Sequence, residues 1–149
     1  MPQFSAKMRA ISARVGEVML TAAEQGRAYG EGRIKRRLSG AVLRRQGGAL
    51  RDSIASEVQS APSRVVIRFR VGDGLKYARI HEFGGVIQGR PWLVFPLRLQ
   101  GRRGKATWRK VRQVNMPKRP YLLPSVEETA PFVQKALASG LKALLKGSA

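Results

Sequence analysis

Residues 64–71, RVVIRFRV, alternate between apolar and mostly basic side chains. In an extended strand, successive side chains point to opposite faces, so Val65, Ile67, Phe69 and Val71 would share one face, and the other face would be mostly arginine. This period of two predicts a half-buried β-strand. Residues 54–60 also have strand character, and the segment APS that separates the two runs favours a turn. We therefore predict a β-hairpin over these residues.

The two ends of the chain carry the pattern of amphipathic helices. Residues 3–28 and 125–146 repeat apolar side chains at spacings of three and four, which is the period of one helix face. The apolar stripe of the first helix consists of Phe4, Met8, Ile11, Val15, Val18 and Ala22. In the second helix, Ser125 suits the N-cap, and Glu127 and Glu128 would lie where the helix dipole favours anions. An Arg-rich transit peptide would resemble the first stripe, but an ordinary folded helix is the preferred interpretation.

Two further strands and a connector complete the predicted fold. WLVFPLRL, residues 92–99, and TWRKVRQV, residues 107–114, have strand composition, although Trp108 and Val111 fall on opposite faces of the second. Residues 29–48 mix glycines with basic pairs, which predicts a basic connector that consists of a short helix around Ile34 to Leu38 and then a loop with the composition of a mobile segment. The element order predicts an α+β fold, an antiparallel sheet of about four strands flanked by long N-terminal and C-terminal amphipathic helices.

Positive charge dominates the composition of this 149-residue chain, whose length predicts a single domain over residues 1–149. The chain has 29 lysines and arginines against nine acidic residues, which gives a net charge of +20. Seven basic residues and no acid lie between Glu31 and Asp52, and ten basic residues and no acid lie between Glu82 and Glu127. Such a field attracts polyanions, of which nucleic acid is the obvious one. A merely solubilising surface is the alternative, although such surfaces usually mix both signs.

A glycine-containing segment, residues 100–105, joins the last two predicted strands and carries three of the basic residues. Its side chains should project from the sheet because a loop tip has no packing role. We predict that this tip faces DNA and contacts phosphates without sequence specificity. Contact with an acidic protein neighbour is the alternative. The residues predicted to face DNA are Arg102, Arg103, Lys105, Arg109 and Lys110.

The segment LKYARIHEFGG, residues 75–85, contains the chain's one histidine, His81, next to Glu82. Adjacent residues point about 100° apart on a helix and to opposite faces on a strand, so this pair cannot clamp a metal ion. The chain has no cysteine, no acid pair at a spacing typical of catalysis, no GxSxG segment and no phosphate-binding loop. We therefore expect no catalytic residue, metal site or cofactor. The longest apolar run, WLVFPL, is too short to cross a bilayer, so no membrane is expected as a partner.

The same segment is better interpreted as architecture. Tyr77, Ile80 and Phe83 are three residues apart, so one short helix would place them on a single packed face. Gly84 and the glycine after it would end that helix, because glycine accepts the left-handed conformation. Glu82 is isolated in a basic half of the chain, which suits pairing with an arginine of its own chain or of a neighbour.

Several sequence motifs follow one another along the chain in the order that is found in one protein family. LRDSI precedes a strand, YARIHEFGGVI and LVFPL follow, and VRQVNMPKRPYLLPSV comes before the C-terminal helix. This arrangement resembles the tail-completion and neck proteins of tailed phages, in particular the virion morphogenesis proteins of Mu-like phages, over residues 45–145. The matching positions are Gly48 with Leu50 to Ile54, Tyr77 with Ala78 and Glu82 to Gly84, and Pro117 with Arg119 to Leu122. The departures are Gln46 and Gly47 in place of Thr-Gly, and Lys118 in place of a small residue.

The resemblance implies a structural virion protein, not an enzyme, that joins the tail to the capsid connector as a ring around the DNA channel. By analogy with the tail, the ring is expected to be a hexamer. The implied partners are further copies of the chain, other neck proteins, the connector, the tail tube or terminator, and non-specifically bound double-stranded DNA. The protein would be made in the host cytoplasm and reside in the neck or tail of the particle. The residues implied as a structural or interface motif are Tyr77, Glu82, Phe83, Gly84, Arg119, Pro120 and Tyr121.

Two other classes of function remain as alternatives. A basic nucleic-acid-binding module outside phages, associated with the nucleoid or the ribosome, would interleave aromatic with basic side chains on a strand face. Phe69 lies among arginines, but the alternation of its strand places it on the buried side. An enzyme is disfavoured because no local spacing pairs two carboxylates for acid and base roles.

Overall fold

The chain folds into two compact units, seen in a computed structural model that describes residues 2–41, 48–61, 64–72, 76–97 and 107–146. The first unit comprises Met1–Leu75 and Tyr121–Ala149, and we call it the helical unit. The second comprises Lys76–Pro120, and we call it the hairpin unit. The prediction of a single domain over residues 1–149 stays a prediction.

Helices and antiparallel strands make up both units. In chain order the elements are α1 (Pro2–Arg36), a kinked segment (Arg37–Ala41) with non-helical backbone at Ser39 and Gly40, α2 (Ala49–Asp52), β1 (Ile54–Ala61), β2 (Arg64–Val71), α3 (Lys76–Phe83), β3 (Gly85–Leu97), β4 (Thr107–Met116) and α4 (Leu123–Lys146). Strand β1 pairs with β2, and β3 pairs with β4. The predicted α+β class with long terminal helices is therefore confirmed, and its four strands are divided into two two-stranded sheets.

The predicted hairpin of β1 and β2 is confirmed with a continuous antiparallel register. The paired residues run from Ile54 opposite Val71 to Ala61 opposite Arg64. Helix α1 contacts both strands. The apolar face of β2 is thus covered by the helix, as its alternation of apolar and basic residues requires.

Two glycines of α1 allow the helix to approach its neighbours closely. A Cβ atom at Gly30 would overlap the Phe69 ring of β2 and would lie 2.7 Å from Thr129 Oγ1 of α4. A Cβ atom at Gly26, one turn earlier, would overlap the Val133 side chain of α4. Glycine costs helix stability, but here it lets the α1 backbone pack directly against β2 and α4.

The core of the helical unit lies between α1, α4 and the first hairpin. Tyr121 and Ile34 are the largest fully buried side chains among the described residues, with 1% and 0% exposed. Tyr29 of α1 and Phe132 of α4 stack with ring centroids 4.3 Å apart and planes within 2°. The remaining buried apolar residues of this unit are Ala22, Ala23, Leu38, Leu50 and Ile54.

Helix α4 begins earlier than predicted, so the assignment of Ser125 as its N-cap was wrong. The helix starts at Leu123, and Ser125 is completely buried inside its first turn. The Ser125 hydroxyl donates to the carbonyl oxygen of Tyr121 at 2.7 Å, and Thr129 repeats this contact to the Ser125 carbonyl. Pro124 is accommodated because the first helical turn needs no backbone donor.

Helix α1 extends further than the predicted 3–28. It continues to Arg36, so residues 29–36 of the predicted basic connector are helical. Burial of Ile34 and Leu38 explains the extension, because tertiary packing supports helical turns whose local glycine content is unfavourable. Residues 42–47 of the predicted connector lie outside the described residues.

The predicted apolar stripe of α1 is covered by the chain only over its second half. Ala22 is buried, whereas Met8 and Ile11 are 53% and 45% exposed. In α4, Leu141 and Leu145 are also exposed, at 37% and 71%. The two terminal helices therefore carry apolar side chains that the described part of the chain leaves in contact with solvent.

The hairpin unit begins with the short helix predicted for residues 77–83. Helix α3 ends at Phe83, and the next residue, Gly84, has a φ of 72°, a conformation that favours glycine, as predicted. A Cβ atom at Gly84 would lie 3.1 Å from both the Met116 carbonyl oxygen and the Lys118 nitrogen. The end of α3 thus packs tightly against the chain that leaves β4, and the Arg119 nitrogen donates to the His81 carbonyl oxygen at 2.7 Å.

Candidate functional site

The hairpin of β3 and β4 is divided by a register irregularity. Gly85 to Gln88 pair with Met116 to Gln113, and Leu93 to Leu97 pair with Val111 to Thr107. Between these two runs, residues 89–92 of β3 lie opposite a single residue of β4. Because of this shift, Val111 pairs with Leu93, and Val114 pairs with Ile87. All four of these side chains are half-buried.

We call the second run, in which residues 93–97 pair with residues 107–111, the distal hairpin. Its face opposite Leu93 and Val111 is exposed and carries both tryptophans of the chain. Trp92 and Trp108 are 48% and 65% exposed, and Val94 between them is 51% exposed. Lys110 lies directly opposite Val94, and the Arg112 guanidinium carbon lies 5.2 Å from the Trp92 ring centroid. This distance is typical of a cation–π contact. We call these five residues the tryptophan face.

The charge of the hairpin unit is almost entirely positive. Between residues 76 and 120 the sequence has twelve basic residues and one carboxylate, Glu82, which gives a net charge of +11. Glu82 itself is buried on α3, with 7% exposed. Internal pairing can therefore neutralise very little of the charge of this unit.

The helical unit, in contrast, pairs much of its charge internally. Its shortest ion pairs among the described residues are Glu24–Arg27 at 2.7 Å, Glu31–Lys35 at 2.5 Å, Glu128–Arg33 and Glu128–Arg37 at 2.5 Å, and Glu57–Arg70 at 2.6 Å. Glu128 was predicted to interact favourably with the dipole at the start of the second terminal helix. It instead forms ion pairs with Arg33 and Arg37, which join α4 to α1. Hydrogen bonds from Arg33 and Arg37 hold the pKa of Glu128 below its ordinary value.

His81 lies on α3 and is half-buried. Burial lowers its pKa below 6.5, and the charge of Arg119 lowers it further. Its Nδ1 atom is buried without a hydrogen-bond partner among the described residues, and the Tyr77 ring contacts it edge-on with centroids 6.1 Å apart. A structural role for His81 in α3 stays a prediction.

A known protein family matches this sequence over most of its length. The sequence profile of the phage virion morphogenesis family matches residues 5–141. The chain belongs to the phage virion morphogenesis family. No curated protein and no solved structure matches the chain significantly.

The family match extends the predicted resemblance in one direction. The motifs noted in the sequence cover residues 45–145, whereas the match also includes most of α1. Most of the long first helix therefore lies within the matched region.

The structure describes two of the five residues that were predicted to face DNA. Arg102, Arg103 and Lys105 lie outside the described residues. Arg109 and Lys110 are both exposed on β4, but they point to opposite faces of the strand. Arg109 lies opposite Phe95, and Lys110 belongs to the tryptophan face. The structure therefore does not bring these two basic residues onto one surface.

The predicted structural or interface motif is divided between the two units. Tyr77, Glu82, Phe83, Gly84, Arg119 and Pro120 belong to the hairpin unit, and Tyr121 belongs to the helical unit. Tyr121 is a core residue with 1% exposed. An interface role for the other members stays a prediction.

The predicted packing of α3 through Tyr77 and Phe83 was wrong. Phe83 is 68% exposed and Tyr77 is 40% exposed. Ala78 and Glu82, which are one turn apart, are the buried residues of this helix. A three-residue spacing selects a helix face only approximately, and the packing of the unit selected the neighbouring face.

Sequence reasoning missed the tryptophan face. The available signal was the alternation of Trp108, Lys110 and Arg112, which places them on one side of a strand. The partner strand could not be aligned with it because Gly89 and Pro91 signal an irregularity in β3 but do not fix how far it shifts the register. Trp92 and Trp108 were therefore treated as separate residues.

Two further observations concern other kinds of site. Among the described residues, no group of three or more histidine, aspartate or glutamate side chains is placed to hold a metal ion. Within the same residues, none of the helices combines the length and apolarity that a membrane crossing requires.

Proposed function

We propose that the chain is a structural, non-enzymatic protein of the phage particle that forms a ring at the head–tail junction. Six copies would join the tail to the capsid connector and surround the DNA that passes between them. The protein would be made in the host cytoplasm and incorporated in the neck of the particle. Membership of the phage virion morphogenesis family supports a role in the virion.

The charge of the hairpin unit is the observation that carries the proposal. Twelve basic residues against one carboxylate require a counter-charge from outside the unit. Duplex DNA carries one negative charge per about 1.7 Å of its axis and is therefore a suitable counter-charge at a channel. Arg109 and the tip that contains Arg102, Arg103 and Lys105 are the residues we assign to this contact.

The exposed apolar residues of the terminal helices support self-association. Met8, Ile11 and Leu20 of α1 are 42% to 53% exposed, and Leu145 of α4 is 71% exposed. Apolar side chains that recur along an exposed helix are typical of a subunit interface. Neighbouring copies in a ring would cover them.

A nucleic-acid-binding module outside phages is the second candidate. The tryptophan face interleaves aromatic with basic side chains, which is the pattern such a module requires. Family membership favours the virion protein. Co-purification with connector or tail proteins would distinguish the virion protein from the module.

Electron microscopy of the purified chain tests the proposed ring. At low salt we expect single copies or small oligomers, because subunits of charge +20 repel one another. Higher salt, short duplex DNA or the purified connector should produce rings. A stable ring at low salt without partners would contradict the electrostatic argument, and no ring under any of these conditions would contradict the proposed assembly.

A further inference from the structure

The tryptophan face is exposed although three of its five residues, Trp92, Val94 and Trp108, are large and apolar. Strand β3 contributes Trp92 and Val94, and β4 contributes Trp108, Lys110 and Arg112. The other face of the distal hairpin is half-buried through Leu93 and Val111 and their neighbours. A two-stranded hairpin gains little stability alone, and it usually needs a further layer on at least one face.

Arginine and tryptophan together suit recognition of another protein. Both residue types are enriched among the side chains that dominate binding energy at protein interfaces. The contact of Arg112 with the Trp92 ring positions the guanidinium beside an apolar surface before any partner binds. An arginine positioned in this way loses less conformational freedom when a carboxylate reaches it.

The charge of the surrounding unit limits the kind of partner. Glu82 is the one carboxylate between residues 76 and 120, and it is buried on α3. Lys110 and Arg112 therefore lie in a strongly positive field that would repel a basic protein. We propose that the tryptophan face docks onto another virion protein, whose surface carries carboxylates around an apolar patch.

Other occupants fit these residues less well. Duplex DNA offers phosphates to Lys110 and Arg112, but its bases are stacked inside the helix and leave exposed tryptophan rings without contacts. Single-stranded nucleic acid would stack bases on tryptophan, but Arg112 lies over the Trp92 ring and competes for that position. A second copy of the chain has a charge of +20 and uses several carboxylates in its own ion pairs.

The docking surface is separate from the surface that we assign to DNA. Arg109 points away from the tryptophan face, so the two faces of β4 can serve different partners at the same time. The proposal depends on membership of a virion family and does not depend on a position at the head–tail junction. A failure of one assignment therefore leaves the other intact.

Particle assembly tests the proposal with paired variants. A phage that lacks this gene is supplied with the chain from a plasmid, and infectious particles are counted. The test variants are Trp92→Ala with Trp108→Ala, and Lys110→Glu with Arg112→Glu. The controls are Val86→Ala, an exposed residue of the same strand, and Arg64→Glu with Lys142→Glu, which changes the net charge equally.

We expect both test variants to lower the particle yield at least about tenfold and to be missing from purified particles, because interface tryptophans and arginines dominate binding. The controls should remain within about twofold of wild type. Thermal unfolding should be similar in all variants because the substituted side chains are exposed. Normal yields from folded tryptophan variants would overturn the proposal.

Tryptophan fluorescence separates the remaining possibilities, because both tryptophans of the chain lie on this face. Titration with oligothymidylate and with short duplex DNA should leave the emission largely unchanged, and the tryptophan variant should bind duplex DNA like wild type. Saturable quenching by oligothymidylate that depends on both tryptophans would assign the face to single-stranded nucleic acid. Loss of duplex binding in the tryptophan variant would assign it to DNA.

Genetic suppression identifies the partner. Phages that regain growth with Lys110→Glu and Arg112→Glu are selected and sequenced. The expected suppressors replace aspartate or glutamate by a neutral or basic residue in another virion protein. Suppressors that arise exclusively within this chain would overturn the assignment of an acidic protein partner.

Discussion

The helical unit and the hairpin unit use their charged residues in opposite ways. In the helical unit, carboxylates such as Glu31 and Glu128 join neighbouring turns or elements through lysine and arginine. In the hairpin unit, twelve basic residues have one carboxylate among them. Net charge alone does not reveal this contrast. The contrast supports the proposal that the charge of the hairpin unit is neutralised by partners.

The distribution of buried residues supports the same contrast. The helical unit buries large side chains such as Tyr121 and Ile34, whereas Ala78 and Glu82 are the buried residues among the described part of the hairpin unit. Stability scales with buried apolar area, so the hairpin unit has less of its own. Substitutions in the two units should therefore differ strongly in their effect.

Truncation of the core should have the largest effect. We expect Tyr121→Ala to lower the free energy of unfolding by about 3–5 kcal/mol, because a fully buried aromatic leaves a cavity. Phe83→Ala is the matched control in the hairpin unit, and its expected effect is below about 0.5 kcal/mol because the ring is exposed. Denaturant unfolding of both variants measures this, and equal losses would break the comparison.

Overpacking of α1 should have the next largest effect. A side chain at Gly30 meets Phe69 and Thr129, so Gly30→Val should destabilise the protein by about 1–3 kcal/mol. Gly32 lies on the same helix with nothing within 4 Å of its added Cβ. Gly32→Ala should instead stabilise the protein by about 0.5–1 kcal/mol through helix propensity. Thermal unfolding of the pair distinguishes close packing from a general glycine effect.

Binding of duplex DNA should distinguish the arginines that we assign to DNA from arginines that form ion pairs with Glu57. Replacement of Arg102, Arg103 and Lys105 by alanine should lower the slope of log affinity against log salt by about 2 to 3, since each phosphate contact contributes about 0.9. Replacement of Arg68 and Arg70, which pair with Glu57, should change the slope by less than about 1. The measurement is a binding titration across a salt series. An unchanged slope in the first variant would move the tip from DNA to a protein contact.

Lowering the pH should destabilise the two units over different pH ranges. We expect the loss of stability to be smaller in the hairpin unit than in the helical unit. Burial keeps the folded pKa of His81 below its ordinary 6.5, so its contribution to stability is present above that pH and is lost as the pH falls. The pKa of Glu31 lies below its ordinary 4.5 because Lys35 and Ser56 donate hydrogen bonds to it, so its contribution is lost only in stronger acid.

Hydrogen exchange across this pH range tests the two windows. Exchange in α3 should accelerate as the pH falls below about 6.5, while α1 stays protected until the pH falls below about 4.5. His81→Gln should remove the first transition and leave the second unchanged. Simultaneous loosening of both helices would show that they do not respond independently.

The sequence by itself determined the local elements and the family. Alternation in residues 64–71 predicted β2, the apolar stripes predicted both terminal helices, and the glycines after Phe83 predicted the end of α3. These features are set by neighbours within one or two turns, so a short window contains their cause. The order of motifs from LRDSI to VRQVNMPKRPYLLPSV was likewise sufficient to predict the virion morphogenesis family.

The tertiary structure decided the features that depend on residues far apart in the chain. Helix α1 extends to Arg36 because it packs on β2 and α4. Glu128 forms ion pairs with Arg33 and Arg37, whereas the sequence predicted an interaction with the helix dipole. The irregularity between β3 and β4 placed Trp92 and Trp108 on one face. Strand register and ion pairs between helices are chosen by the free energy of the whole assembly, so no local pattern can specify them.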